Sequence, residues 1–144
     1  MNGMPYLALV DDDQHSAHLL TRMLLAHGSP RVQHYGDADD GRLMLTNVLA
    51  GSAANWPGLL IVDLKAHSRA NLEFVSAIHP LASSNGLAVV VMAPPLGRAD
   101  REALLEAGAS SVFVRHAERD AYRREAAGIV SFWARSQRLD AVGM

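Results

Sequence analysis

The sequence predicts an α/β fold, a doubly wound parallel sheet of five strands with a helix after each. Three observations predict it. Tyr6-Leu7-Ala8-Leu9-Val10, Leu59-Leu60-Ile61-Val62 and Leu87 to Met92 are short apolar runs without polar alternation, the pattern of strands buried on both faces. Segments with helical spacing separate the strand-like runs, so that strands and helices alternate five times. Two of the runs end in carboxylates, at Asp11-Asp12-Asp13 and at Asp63, and adjacent parallel strands would bring both sets to one sheet edge.

The elements follow in order. After the first strand, Ala17, Leu20 and Leu24 fall on one face of a helix from Gln14 to His27, with Gly28 as its stop. Arg31 to Tyr35 is a short, weakly patterned strand. Asp37 offers an N-cap to a helix carrying Leu45, Val48 and Leu49, which Gly51 ends. Gly51 to Gly58 reads as a loop into the central strand. Past Asp63, a polar loop from Lys65 to Ala70 leads to a helix with Leu72, Val75 and Ile78 on one face, expected to stop at Pro80. Asn85-Gly86 marks a turn before the fourth strand, which Ala93-Pro94-Pro95 closes. Arg98 to Ala107 is helical with Gly108 behind it, and Ser111 to Val114 is the fifth strand. The final helix, Glu118 to about Arg138, sets Tyr122, Ala126, Ile129 and Trp133 in one stripe.

A chain of 144 residues, 49% hydrophobic and 19% charged, is the size of one domain. A single domain is expected, with its core from about residue 5 to residue 137 and no output domain. The formal net charge of -2 carries no global nucleic-acid footprint, and the absence of cysteine excludes disulfides and thiolate metal sites. No stretch approaches the roughly 20 apolar residues of a membrane helix. A cytoplasmic location, without membrane or direct nucleic-acid partners, is the expectation.

In a doubly wound sheet, ligands bind beyond the C-terminal strand ends where the winding reverses. Carboxylates crowded there either share a proton or bind a cation. Asp11, Asp12 and Asp63 form such a set, and magnesium, a hard ion that takes oxygen ligands and keeps several waters, suits them. With its repulsion neutralised, an aspartate can act as a nucleophile toward phosphorus. Asp13 reads instead as the cap of the first helix.

These residues resemble a known family, the receiver domain of two-component response regulators. Leu9-Val10-Asp11-Asp12-Asp13 is similar to its acidic pair and Leu60-Ile61-Val62-Asp63 to its phospho-acceptor strand. Leu72-Glu73-Phe74 matches the start of its third helix, and Glu106-Ala107-Gly108-Ala109 the motif before its last strand. The resemblance spans nearly the whole chain. It implies a flavodoxin-like (βα)5 sheet of order 2-1-3-4-5 and phosphorelay signalling without enzymatic turnover. Asp63 would accept the phosphoryl group from a histidine kinase or phosphotransfer protein, and Asp11, Asp12, Asp63 and the backbone carbonyl of Lys65 would hold Mg2+. A downstream protein partner would read the state, and a homodimer is compatible with the family.

The departures lie in the switch. Ala93 stands where the family has a Thr or Ser, and Val112 where it has an aromatic residue in strand five. Arg115-His116 replaces a lysine followed by proline; arginine keeps the charge in a planar fork, and without proline a cis bond costs about 2.5–4 kcal/mol. Asn71 replaces the glycine opening the third helix, a position where Asn tolerates positive φ. Lys65 brings an ammonium toward the cluster, where it competes with magnesium. Pro94-Pro95 stiffens the loop that moves on activation. These departures keep open a second reading, a phosphorylation-independent pseudo-receiver serving as an interaction module.

Other residues carry less. His15 and His18 are spaced i, i+3 without a third ligand, which argues against zinc. His116 is a loop residue at the edge of the cluster. Arg123, Arg124, Arg135 and Arg138 lie away from the apolar stripe of the last helix, as on a solvated face or a partner surface. A flavin site would need a Ser/Thr/Gly-rich loop where three aspartates stand. A phosphohydrolase would want an aspartate at the position of Lys65.

Overall fold

The computed structural model describes residues 4–142, with side chains described as far as Gln137. Five parallel strands, β1 (Tyr6–Asp11), β2 (Arg31–Gly36), β3 (Leu59–Asp63), β4 (Val89–Ala93) and β5 (Ser111–Val114), form one sheet. Their order is β2-β1-β3-β4-β5, as the resemblance implied. The helices are α1 (Gln14–Ala26), α2 (Ala38–Leu49), α3 (Ala70–Ser84), α4 (Arg98–Ala107) and α5 (Arg119–Val142), with a 3-10 turn at Ala53–Asn55.

The two-residue period of the strands sorts the core into two layers. Ala8, Val10, Leu60, Val62, Val89 and Val91 face Leu45, Phe74, Ile78 and Leu104 from α2, α3 and α4. Leu7, Leu9, Leu59, Ile61, Val90 and Met92 face Leu20, Leu24, Ala126 and Ile129 from α1 and α5. Each fully buried aliphatic side chain contributes roughly 1.5–3 kcal/mol, against about 1 kcal/mol for a helix cap, so the sheet core dominates. The caps set boundaries: Asp13 accepts from the Ser16 amide at 3.0 Å and Asp37 from the Asp40 amide at 2.9 Å.

Gly41 on α2 lies against Val10, where an added Cβ would come within 2.7 Å of Cγ2 and 2.9 Å of Cγ1. Both atoms belong to a packed core strand that cannot retreat. Gly41→Ala is therefore expected to lower stability by about 1–3 kcal/mol in chemical denaturation, in spite of alanine's better helix propensity.

The chain departs from expectation at several boundaries. α3 does not stop at Pro80 but runs through it to Ser84, capped by Asn85. Pro80 and Ser76, the residue whose carbonyl loses its bond, both face outward, where solvent satisfies the carbonyl, while Ile78 and Ala82 hold the helix to the core. β4 starts at Val89 rather than Leu87, and α5 extends past Arg138, whose side chain lies outside those described. β2 is an edge strand in which only Tyr35 is fully buried, which accounts for its weak pattern; the Tyr35 and Tyr6 hydroxyls meet at 2.7 Å. At the other edge, Arg101 donates to the Val112 carbonyl and Glu125 accepts from the Val114 amide, closing two outward backbone groups of β5. Among the described residues no helix is long and apolar enough to cross a membrane.

Candidate functional site

Asp11 and Asp63 are the last residues of β1 and β3 and are register partners in the parallel ladder. Parallel pairing of central strands thus brings two carboxylates side by side at the C-terminal edge, with Asp11 1% and Asp63 0% exposed. Burial of two such carboxylates calls for a shared proton or nearby cations. The chain supplies two of its own.

Lys65, two residues past Asp63, folds back so that Nζ donates to Asp11 Oδ1 at 2.8 Å and to the Asp63 backbone carbonyl at 3.0 Å. The same ammonium lies 3.0 Å from Asp63 Oδ1. Arg115, just past the end of β5, donates from a terminal guanidinium nitrogen to Asp63 Oδ1 at 2.6 Å. Asp11 Oδ1 also accepts from the Asp13 amide at 2.8 Å. The second oxygens, Asp11 Oδ2 and Asp63 Oδ2, are buried without a partner. Burial pushes the Asp63 carboxyl above its ordinary range; Lys65 pulls it back most strongly, Asp11 adds to the rise and Arg115 opposes it.

Asp12 behaves differently from the other two. Its oxygens accept from the backbone amides of Lys65, at 3.0 and 3.1 Å, and Ala66, at 2.9 Å. It ties the loop after β1 to the loop after β3. Where convergence of Asp11, Asp12, Asp63 and the Lys65 carbonyl on one ion was the expectation, two carboxylates meet, the third accepts from amides, and an ammonium stands between the two. Among the described residues, no group of three or more acidic or histidine side chains is arranged to hold a metal ion. The arrangement does not fit a divalent ion.

Ala93 ends β4, buried and without a hydroxyl, and Val112 is buried in the layer with α3 and α4. No cis peptide bond occurs among the described residues, Arg115-His116 included. Asn71 is corrected: no non-glycine residue described has positive φ, and Asn71 lies in the first turn of α3. Its side chain is what the site uses. Oδ1 accepts from the Leu64 amide at 2.8 Å and Nδ2 donates to the Met92 carbonyl at 3.3 Å.

Two residues near the site were not legible as such. His34, on β2, donates from Nε2 to the Asp11 carbonyl at 2.8 Å, a contact that only the β1–β2 pairing reveals. Tyr122 reads as part of an apolar stripe, yet its buried hydroxyl has no partner. Burial, and then the charge of Asp63, raise its pKa. His15 and His18 are exposed, and His67 approaches Glu73 at 3.5 Å.

No family model and no curated protein matches the chain. Solved structures do. A proposed pilus assembly-related protein from Burkholderia pseudomallei is 18% identical, covering 94% of this chain and 93% of its own, with a TM-score of 0.71. The phosphorylated cyanobacterial phytochrome response regulator RcpA is 20% identical over 92% of this chain and 95% of its own, at 0.73. The Mn(2+)-bound form of response regulator Rcp1 is 18% identical over 90% and 94%, at 0.66. The fold of this chain is that of response-regulator receiver domains.

Proposed function

We propose that this protein is a signalling module of the receiver type, which takes a phosphoryl group on Asp63 from a phosphohistidine of a histidine kinase or phosphotransfer protein and signals by protein–protein contact. One observation carries the reading: Asp63 Oδ1 is held by Arg115 and Lys65, while Oδ2 has no partner. The held oxygen keeps the carboxylate oriented, and the two cations on it oppose the rise that burial imposes on its pKa. The free oxygen is the nucleophile. Its attack forms an O–P bond as the P–N bond to the donor imidazole breaks, and the released ring nitrogen takes a proton. Lys65 and Arg115 offset the charge that builds on the phosphoryl oxygens. With Ala93 and Val112 in place of the hydroxyl and the aromatic ring, the output runs through Arg115, which joins Asp63 to the end of β5 and the start of α5.

The test is incubation with a small phosphoryl donor, acetyl phosphate or phosphoramidate, with magnesium and again with a chelator, followed by intact-protein mass. The expected result is a gain of one phosphoryl group that Asp63→Asn abolishes. No gain under either condition would overturn the reading. That outcome would support the second reading, a phosphorylation-independent interaction module, which the complete burial of Asp63 beneath its own two cations favours.

A further inference from the structure

We propose that Lys65 is the resident cation of this pocket, occupying the place between Asp11 and Asp63 that a divalent ion would need and so closing the pocket to divalent metals. Its ammonium makes three approaches to oxygen, to Asp11 Oδ1, Asp63 Oδ1 and the Asp63 carbonyl, at 2.8, 3.0 and 3.0 Å. Two of its three donors are spent in hydrogen bonds, to Asp11 Oδ1 and the Asp63 carbonyl, and the approach to Asp63 Oδ1 is an ion pair. The backbone competes for the third carboxylate as well, because the amides of Lys65 and Ala66 occupy three of the roughly four acceptor sites of Asp12.

Charge reinforces the geometry. The two buried carboxylates, Asp11 and Asp63, are balanced by two cations, Lys65 and Arg115, and the half-buried Asp12 adds one negative charge beside them. A divalent ion entering beside Lys65 would add two positive charges to a buried set that is already balanced, an excess that Asp12 offsets only in part. One that displaces Lys65 must break three contacts of a group tethered two residues from Asp63, present at an effective concentration of about millimolar or higher. Lys65 therefore wins at ordinary metal concentrations. The inference rests on the pocket being the working site of the proposed function, but its test reads metal and not phosphate, so the two fail separately.

The experiment titrates the full chain with Mn2+ alone and follows paramagnetic broadening of amide NMR signals, in the wild type and in Lys65→Met. The wild type is expected to show no selective broadening at Asp11–Asp13 or Asp63–Ala66. Lys65→Met is expected to broaden there at a Mn2+ concentration about tenfold or more below any wild-type response, and to gain thermal stability on adding Mg2+. Broadening of both proteins at the same concentration, or of neither, overturns the proposal. A second measurement guards against a variant that does not fold. Lys65 is the only lysine in the chain, so the wild type has a single side-chain ammonium signal. That signal is expected to be slow in hydrogen exchange and unchanged by millimolar Mg2+; fast exchange, or its loss on adding Mg2+, overturns the proposal without any variant.

Discussion

Replacing Lys65 and Arg115 together by methionine lowers stability by about 3–5 kcal/mol at neutral pH, the cost of leaving buried carboxylates without their cations. Methionine keeps an unbranched stem over the pocket, so the loss reports charge more than packing. The pH dependence identifies the cause. Burial raises the native pKa of Asp63 above the ordinary 3.8, and Lys65 and Arg115 are the influences that restrain the rise. A carboxyl with a raised native pKa lowers stability wherever it is ionised in both states. As pH falls through the native value, the folded protein takes up the proton first and stability is regained, fully so below 3.8. In the double variant the restraint is gone and the recovery starts at higher pH. The gap between variant and wild type is thus widest at neutral pH and narrows toward acid, which urea denaturation at a series of pH values measures. The carboxylates of Asp13 and Glu118, held low mainly by backbone amide hydrogen bonds, work in the opposite sense, and their contributions largely cancel between the two proteins. A gap that stays constant with pH would assign the loss to packing.

What the sequence made legible follows from how each feature is encoded. β1, β3 and β4 are buried on both faces and therefore announce themselves as unbroken apolar runs; the aspartates at the ends of β1 and β3 inherit their place from those runs. β2, exposed along one edge, carries mixed residues and little signal. Pro80 misled because a proline rule written for helix interiors ignores the side on which the carbonyl is lost; on the solvent side the penalty is small enough for Ile78 and Ala82 to outweigh it. The pocket itself was half legible. That Asp11 and Asp63 meet is a property of topology, whereas Asp12 turning to the amides of Lys65 and Ala66, and the Lys65 side chain folding back over its own loop, are local conformations with no periodic signature. His34 and Tyr122 enter only through neighbours distant in sequence.

Asn71→Ala lowers stability by about 1–3 kcal/mol for each of the two backbone groups it orphans. The β3–β4 ladder pairs Leu60, Ile61 and Val62 with Val89, Val90 and Val91. Beyond that point, Asn71 takes over: its Oδ1 holds the Leu64 amide and its Nδ2 the Met92 carbonyl, joining the two strands where the ladder ends. Asp63 sits between Val62 and Leu64, so this clip fixes the backbone on the far side of the acidic residue. Both bonds are buried, and the residue is only 8% exposed, so water does not readily replace the amide. Asn71→Gly separates this account from a backbone one. If the position mattered for unusual φ, glycine would be neutral or stabilising; since the side chain is the clip, glycine is expected to be at least as costly as alanine, with helix propensity adding to the loss. Amide hydrogen exchange gives the local readout. Protection at Leu64 is expected to fall in both variants by more than the drop in global stability accounts for, and an unchanged Leu64 would mean that the strand ends are held by the ladder alone.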